Sequence, residues 1–111
     1  MKTNTVLGVA LVVALLASSA PVILPLLHVG LGAIAFVLAV AYAYTGRKFR
    51  PALTLGILLL VALIVQAALG AASLSDQAEN PVATVHRFLG WVGFLVGLVG
   101  VILVERAARK A

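Results

Sequence analysis

Four long apolar runs separated by short polar breaks make up nearly all of the chain. The first spans about residues 5–20, after Lys2 and Asn4, and the second starts with Pro25 in its first turn and ends near Tyr44, just ahead of Gly46. The third runs from Pro51 to Gly70, and the fourth from Asn80-Pro81 to about Glu105. Proline is tolerated in a first helical turn because the N–H it lacks has no partner there. Asn4 reads as an N-cap and Gly70 as a C-terminal stop. A helix needs about 20 mostly apolar residues to cross a bilayer, so each run reads as one span with short connections. The expected fold is all-α: an integral membrane four-helix bundle in one transmembrane domain, spans about 5–20, 25–44, 51–70 and 81–105, with no soluble domain. The first run also has the layout of a secretory signal, with a basic start, an apolar middle and a small-residue end. It is read here as a retained helix.

Composition supports the bilayer as solvent: of 111 residues, 64% are hydrophobic and 10% charged, and the mean hydropathy is +1.24, far from the balance of a soluble domain. The net charge of +5 does not point to nucleic acid, which needs a basic face or stripe. The charges fall between the apolar runs, where they report topology. Lys2, the Arg47-Lys48-Phe49-Arg50 loop and the Arg106 to Lys110 tail share one side and hold seven of the eight basic residues. The positive-inside rule makes that side cytoplasmic and puts both termini there, in a multi-pass protein of the cell membrane. Ser18 to Leu24, Asp76 and Glu79 belong to the other side, and only Arg87 is basic near it. With no cysteine, disulfides, thiolate ligands and thioether-attached heme are excluded.

The two hairpins overlay as a parallel repeat. His28 to Phe36 and His86 to Phe94 both read H-x-x-L-G-x-x-x-F, with four identities in nine positions, and these are the only two histidines in the chain. His28 stands three residues after Pro25 and His86 five after Pro81, so their depths differ by only about 3 Å. Both belong near the outer face. Below them on the same helical faces lie Gly32, Ala35 and Ala39 on the second span, and Gly90, Gly93 and Gly97 on the fourth.

An ionisable side chain inside a span marks function by default, and imidazole suits iron, copper or zinc. The spans offer no acidic residue or thiol to complete tetrahedral zinc. Two imidazoles across the diagonal of a square bundle, about 11 to 14 Å between axes, match axial ligation of heme b instead, with His28 and His86 as metal ligands. Gly32 and Gly90, one turn below, leave room for a macrocycle. Gln66, near the same depth, is placed to bond a ligand, a polar edge of the macrocycle or a neighbouring helix. Arg87 is placed to pair with heme propionates or to snorkel to the interface. Phe88 and Trp91 read as packing or lipid-facing residues.

These residues resemble one four-helix half of the heme A synthase family, in the form of its compact archaeal members. Gln66-Ala67-Ala68-Leu69-Gly70-Ala71 is similar to that family's Gln-x-x-Leu-Gly-Gly helix end, and His86-Arg87-Phe88-Leu89-Gly90 to its His-Arg motif, with the likeness covering about residues 25 to 105. The resemblance implies histidine pairs near the outer side, one pair for heme b and another for a substrate heme, and a homo-oligomer to supply the missing half. The family's glutamate just before the His-Arg motif has no counterpart, since Ala83-Thr84-Val85 precedes His86 and Leu24 to Leu27 precedes His28. Catalysis is therefore not assigned, and enzyme status stays open.

The leading expectation is a membrane cytochrome b-like protein, for electron transfer with a quinone or other redox partner, or for heme A synthase-like chemistry. Two other classes compete. A small four-helix transporter would need a membrane-embedded carboxylate for proton coupling, whereas Asp76, Glu79 and Glu105 all fall outside the apolar cores. A structural subunit of a membrane complex, without cofactor, would use its histidines and glycines for helix contacts and would be colourless.

Overall fold

The computed structural model describes residues 2–19, 25–72 and 81–110. Four helices follow in order: α1 (Lys2–Ser18), α2 (Pro25–Thr45), α3 (Arg50–Ala72) and α4 (Pro81–Lys110). The protein is all-α, and α2, α3 and α4 are each long and apolar enough to cross a membrane. The first expected span is shorter: α1 has 17 residues, about 25 Å of helix against a hydrocarbon core of about 30 Å. Helix α4 has 30 residues and continues past the expected end at Glu105 to Lys110. Ala, Glu and Arg are strong helix formers, and Arg109 and Lys110 in the last turn oppose the negative end of the helix dipole. Asp76, Glu79 and Asn80 lie outside the described residues.

Consecutive helices pack on one another and α1 closes on α4, while the backbones of α2 and α4 stay apart. The order around the bundle is therefore α1-α2-α3-α4, with α2 and α4 on a diagonal. Contacts join the start of α1 to the end of α2 (Asn4 to Tyr42 and Thr45), and the end of α3 to the start of α4 (Gly70 to His86). Neighbours are therefore antiparallel, and α2 and α4 run the same way. The end carrying the helix N-terminus Lys2 and the exposed Arg47, Lys48, Arg50, Arg106, Arg109 and Lys110 is called the basic end below.

Turn chemistry explains the link from α2 to α3. Gly46 N–H bonds Tyr42 O at 3.0 Å and Phe49 N–H bonds Gly46 O at 2.9 Å, closing the chain tightly. A Cβ on Gly46 would lie 2.6 Å from that of Ala52 and 3.0 Å from Asn4 Nδ2, so only glycine allows this approach. Tyr44 O, near the helix end, accepts both the backbone N–H of Arg47 at 3.3 Å and its guanidinium at 2.7 Å, and that guanidinium lies 4.1 Å from the centre of the Tyr44 ring.

Two polar residues depart from their expected roles. Asn4 is no N-cap: it lies inside α1, only 3% exposed, and donates to Tyr42 O at 3.0 Å and Thr45 Oγ1 at 2.9 Å. With little water available, such bonds between helices replace the missing hydrophobic drive. Thr5 Oγ1 donates to Glu105 Oε1 at 2.5 Å and ties α1 to α4. Tyrosines at the end of an apolar span are expected to mark an interface, but Tyr42 is a core side chain at 1% exposure, while Tyr44 is exposed. We expect Asn4→Leu to lower the thermal midpoint in detergent, losing about 1–2 kcal/mol for the two bonds. An unchanged midpoint would remove Asn4 from this role.

Packing is uneven along the bundle. The buried residues of α2, α3 and α4 all lie toward the basic end, at Ala35, Ala39, Tyr42 and Ala43, at Ala52, Leu55, Gly56 and Leu59, and at Gly97, Val101 and Val104. Leu11, Ala14 and Leu15 complete this core from α1. Large apolar side chains such as Leu26, Val29, Ile57, Val61, Phe88 and Leu103 point outward instead. That outward apolar surface is what helices compatible with lipid contact present.

Candidate functional site: a histidine pair across the bundle diagonal

The opposite end is built from polar side chains in apolar helices. Ser18 and Ser19 come from the end of α1, His28 from the first turn of α2, Gln66 from the last turns of α3 and His86 from the second turn of α4. His28 and His86 meet across the diagonal, with ring centroids 5.8 Å apart and planes at 87°. The equal depth expected from the sequence lets two helices whose backbones stay apart bring these rings together.

Each ring is held differently. His28 Nδ1–H donates to Ser18 O at 2.9 Å, which in the neutral ring leaves Nε2 as the unprotonated nitrogen with a free lone pair. A second-sphere carbonyl on Nδ1 is the usual device for fixing a ligating imidazole. His86 lies against Gly70, where a Cβ would sit 3.3 Å from Cε1 and 3.5 Å from Nε2. Gly70 therefore does not stop α3, which continues to Ala72. Its missing side chain makes room for the ring. His86 Nδ1 is buried and has no hydrogen-bond partner.

Gln66 Nε2–H donates to His86 O at 2.9 Å, so the amide straps α3 to the turn that carries His86. Its Oε1 is buried and unpartnered. Beneath His86, a Cβ on Gly90 would lie 3.1 Å from Gln66 Nε2 and 3.7 Å from Ser19 Oγ. A Cβ on Gly32, beneath His28, would enter open space. The expected smooth face of α2 holds, since Ala35 and Ala39 below Gly32 are wholly buried. The face of α4 divides: Gly97 packs near Leu15 and Leu59, whereas Gly93 lines a groove toward α3.

Arg87 and Phe88 are exposed at this end. Trp91 packs edge-on against Phe94, with centroids 6.0 Å apart, away from the pair. Sequence reasoning missed Ser18 and Ser19 as site residues. The signal was present, because both stand at the end of α1 at the depth of the histidines, but they read as the start of a loop.

Heme b can be tested against these residues. Two imidazoles that bind one iron from opposite sides, with metal–nitrogen bonds of about 2 Å, hold their centroids about 6 Å apart. The 5.8 Å separation is close to this, and the free Nε2 of His28 is the correct kind of donor. Among the described residues, the end of the bundle around the rings lacks the buried large side chains that fill the basic end, and a Cβ on Gly32 would meet nothing within 4 Å. Gln66 Nε2 and Ser19 Oγ flank Gly90, 3.1 and 3.7 Å from where its Cβ would lie. The donor set and the small residues thus fit a bis-imidazole macrocycle. Among the described residues no group of three or more His, Cys, Asp or Glu side chains gathers as for a metal ion, so a tetrahedral zinc set is not assembled there. Compared with known protein families, with curated proteins and with solved structures, the chain matches none.

Proposed function

We propose that this is a multi-pass protein of the cell membrane that holds heme b between His28 and His86 near the outer face, with both termini cytoplasmic. The observation that carries the proposal is the meeting of the chain's only two histidines, 5.8 Å apart, from helices on opposite corners of the bundle. Bound there, heme supplies a one-electron iron couple in a low-dielectric site. His28 and His86 are its axial ligands. The Ser18 carbonyl orients His28, Gly70 admits the His86 ring, and Gln66 fixes the turn beneath it. Arg87 is the basic group at the same end available to a propionate. The reading fits electron transfer with a quinone or another redox partner. The likeness of Gln66 to Ala71 and of His86 to Gly90 to heme A synthase motifs supports an assembly of that kind, with a homo-oligomer completing it and the two hairpins standing as parallel repeats.

The test is the visible spectrum of the purified protein, oxidised and dithionite-reduced, in wild type and Gly32→Leu. We expect a sharp low-spin Soret and α band in wild type and at least a tenfold loss of bound heme in Gly32→Leu. Helix content should be unchanged in the variant, because its added side chain starts in open space. A variant that keeps full heme would remove Gly32 from the site.

A structural subunit without cofactor is the second reading. It is favoured by the use of both histidine segments as straps between helices, His28 to Ser18 O and Gln66 to His86 O. It predicts a protein that is colourless as purified and stays so with added hemin. The transporter reading gains nothing, as Glu105, the one carboxylate among the described residues, is engaged with Thr5 near the basic end.

A further inference from the structure

The outward face of α4 changes character along its length. Buried Gly97, Val101 and Val104 mark the face turned into the bundle. Arg106, Arg109 and Lys110 fall about 140 to 240° around the helix from Val104, and all three are exposed. Leu95, Val99 and Ile102 share that outward face and are exposed as well. One face therefore runs as an apolar stripe into three adjacent cations. From Leu95 to Arg106 the stripe is about 16 Å long, close to the roughly 15 Å of hydrocarbon in one leaflet of a bilayer.

Three adjacent cations need a counter-charge. Among the described residues the one carboxylate is Glu105, and it accepts a hydrogen bond from Thr5 on α1. A solvent anion would match the cations but not the stripe beside them. A phospholipid carries both features in one molecule, acyl chains of leaflet length and a phosphate at their end. Arginine forks suit phosphate oxygens, and a headgroup of net negative charge keeps an attraction that the ammonium of a zwitterionic headgroup offsets. We propose that the basic end of α4 binds an anionic phospholipid, its phosphate on Arg106, Arg109 and Lys110 and its chains along Leu95, Val99 and Ile102. The inference rests on the membrane reading above and is independent of heme.

The test reconstitutes the protein into vesicles of equimolar phosphatidylcholine and phosphatidylglycerol, floats them, re-extracts the protein in mild detergent and measures the lipid that stays with it. Wild type should retain phosphatidylglycerol over phosphatidylcholine by about fivefold or more, the effect of a single basic residue near a charged bilayer surface. Changing Arg106, Arg109 and Lys110 together to Gln should bring the two lipids level, with helix content that of wild type because all three side chains are exposed. Changing Arg47, Lys48 and Arg50 together to Gln removes the same charge from the same end and should leave at least half of the preference. Equal retention of the two lipids by wild type, or a preference that survives loss of the three α4 cations, overturns the proposal. An equal loss in both triple variants also overturns it, since net charge and not the α4 face would then set the preference. Flotation reports separately on the membrane reading: a chain left behind by the vesicles sinks that reading, whereas one that floats without lipid preference sinks only the α4 site.

Discussion

If heme is held as proposed, His28→Ala and His86→Ala should each abolish the low-spin Soret and α bands of the purified protein, and neither substitution should remove the helical far-ultraviolet signal. The expected size follows from ligand number. An iron between two imidazoles loses half of its axial ligation in either variant, and the remaining histidine cannot keep it six-coordinate and low-spin unless another donor takes the vacant place. Among the described residues, Ser18, Ser19 and Gln66 are the nearby polar side chains, and their neutral oxygens are weaker donors to iron than imidazole. The fold should survive because neither ring belongs to the buried apolar core, which lies nearer the basic end. Heme content, read as the pyridine hemochrome, should drop at least tenfold in both variants. A spectrum that either variant leaves intact would show that iron, if bound, is bound elsewhere.

The largest loss of stability is expected at Gly56. A Cβ there would stand 2.7 Å from Ala43 Cβ and 2.8 Å from Ala43 Cα, so the nearest obstacle includes the backbone of α2 rather than a side chain that can swing aside. Small residues at such crossings let membrane helices approach closely, and van der Waals contact is what joins them in lipid. Gly56→Leu therefore forces α2 and α3 apart and loses contacts on both sides, at a cost at or above the roughly 1–3 kcal/mol typical of an overpacked core. Thermal unfolding in detergent should show the midpoint falling well below that of Gly32→Leu, which adds the same side chain in open space. Equal midpoints for the two variants would mean that the α2–α3 crossing does not limit stability. Because Gly56 is remote from the histidines, any heme loss in Gly56→Leu should track unfolding and not precede it.

The prolines made the helix starts readable, since Pro25 and Pro81 open α2 and α4 and Pro51 lies in the first turn of α3. The matched depth of His28 and His86 was equally legible, because a helix converts residue count into height at a fixed rate. Other features depend on which face of a helix meets which neighbour, and the weak amphipathicity of such apolar helices conceals that. Tyr42 and Tyr44 look alike in sequence, yet one is enclosed and the other exposed. Gly70 carried the signature of a helix stop, and only the ring of His86 beside it explains the missing side chain. Asn4 had the chemistry of a cap, but its partners lie 38 and 41 residues away, a separation no local pattern records.

The uneven packing along the bundle divides its labour. Tyr42, Leu55 and Val101 sit where the four helices are locked together, so assembly of the bundle does not wait for a prosthetic group. Among the described residues around His28 and His86, single polar straps join the helices, His28 to Ser18 O and Gln66 to His86 O. Such a chain resembles a clothes peg, sprung at one end and free to take a flat object at the other. On the proposed reading, the protein without heme should accordingly stay folded, and added heme should quiet amide exchange in the turns near the histidines while leaving the turns near Tyr42 as slow as before.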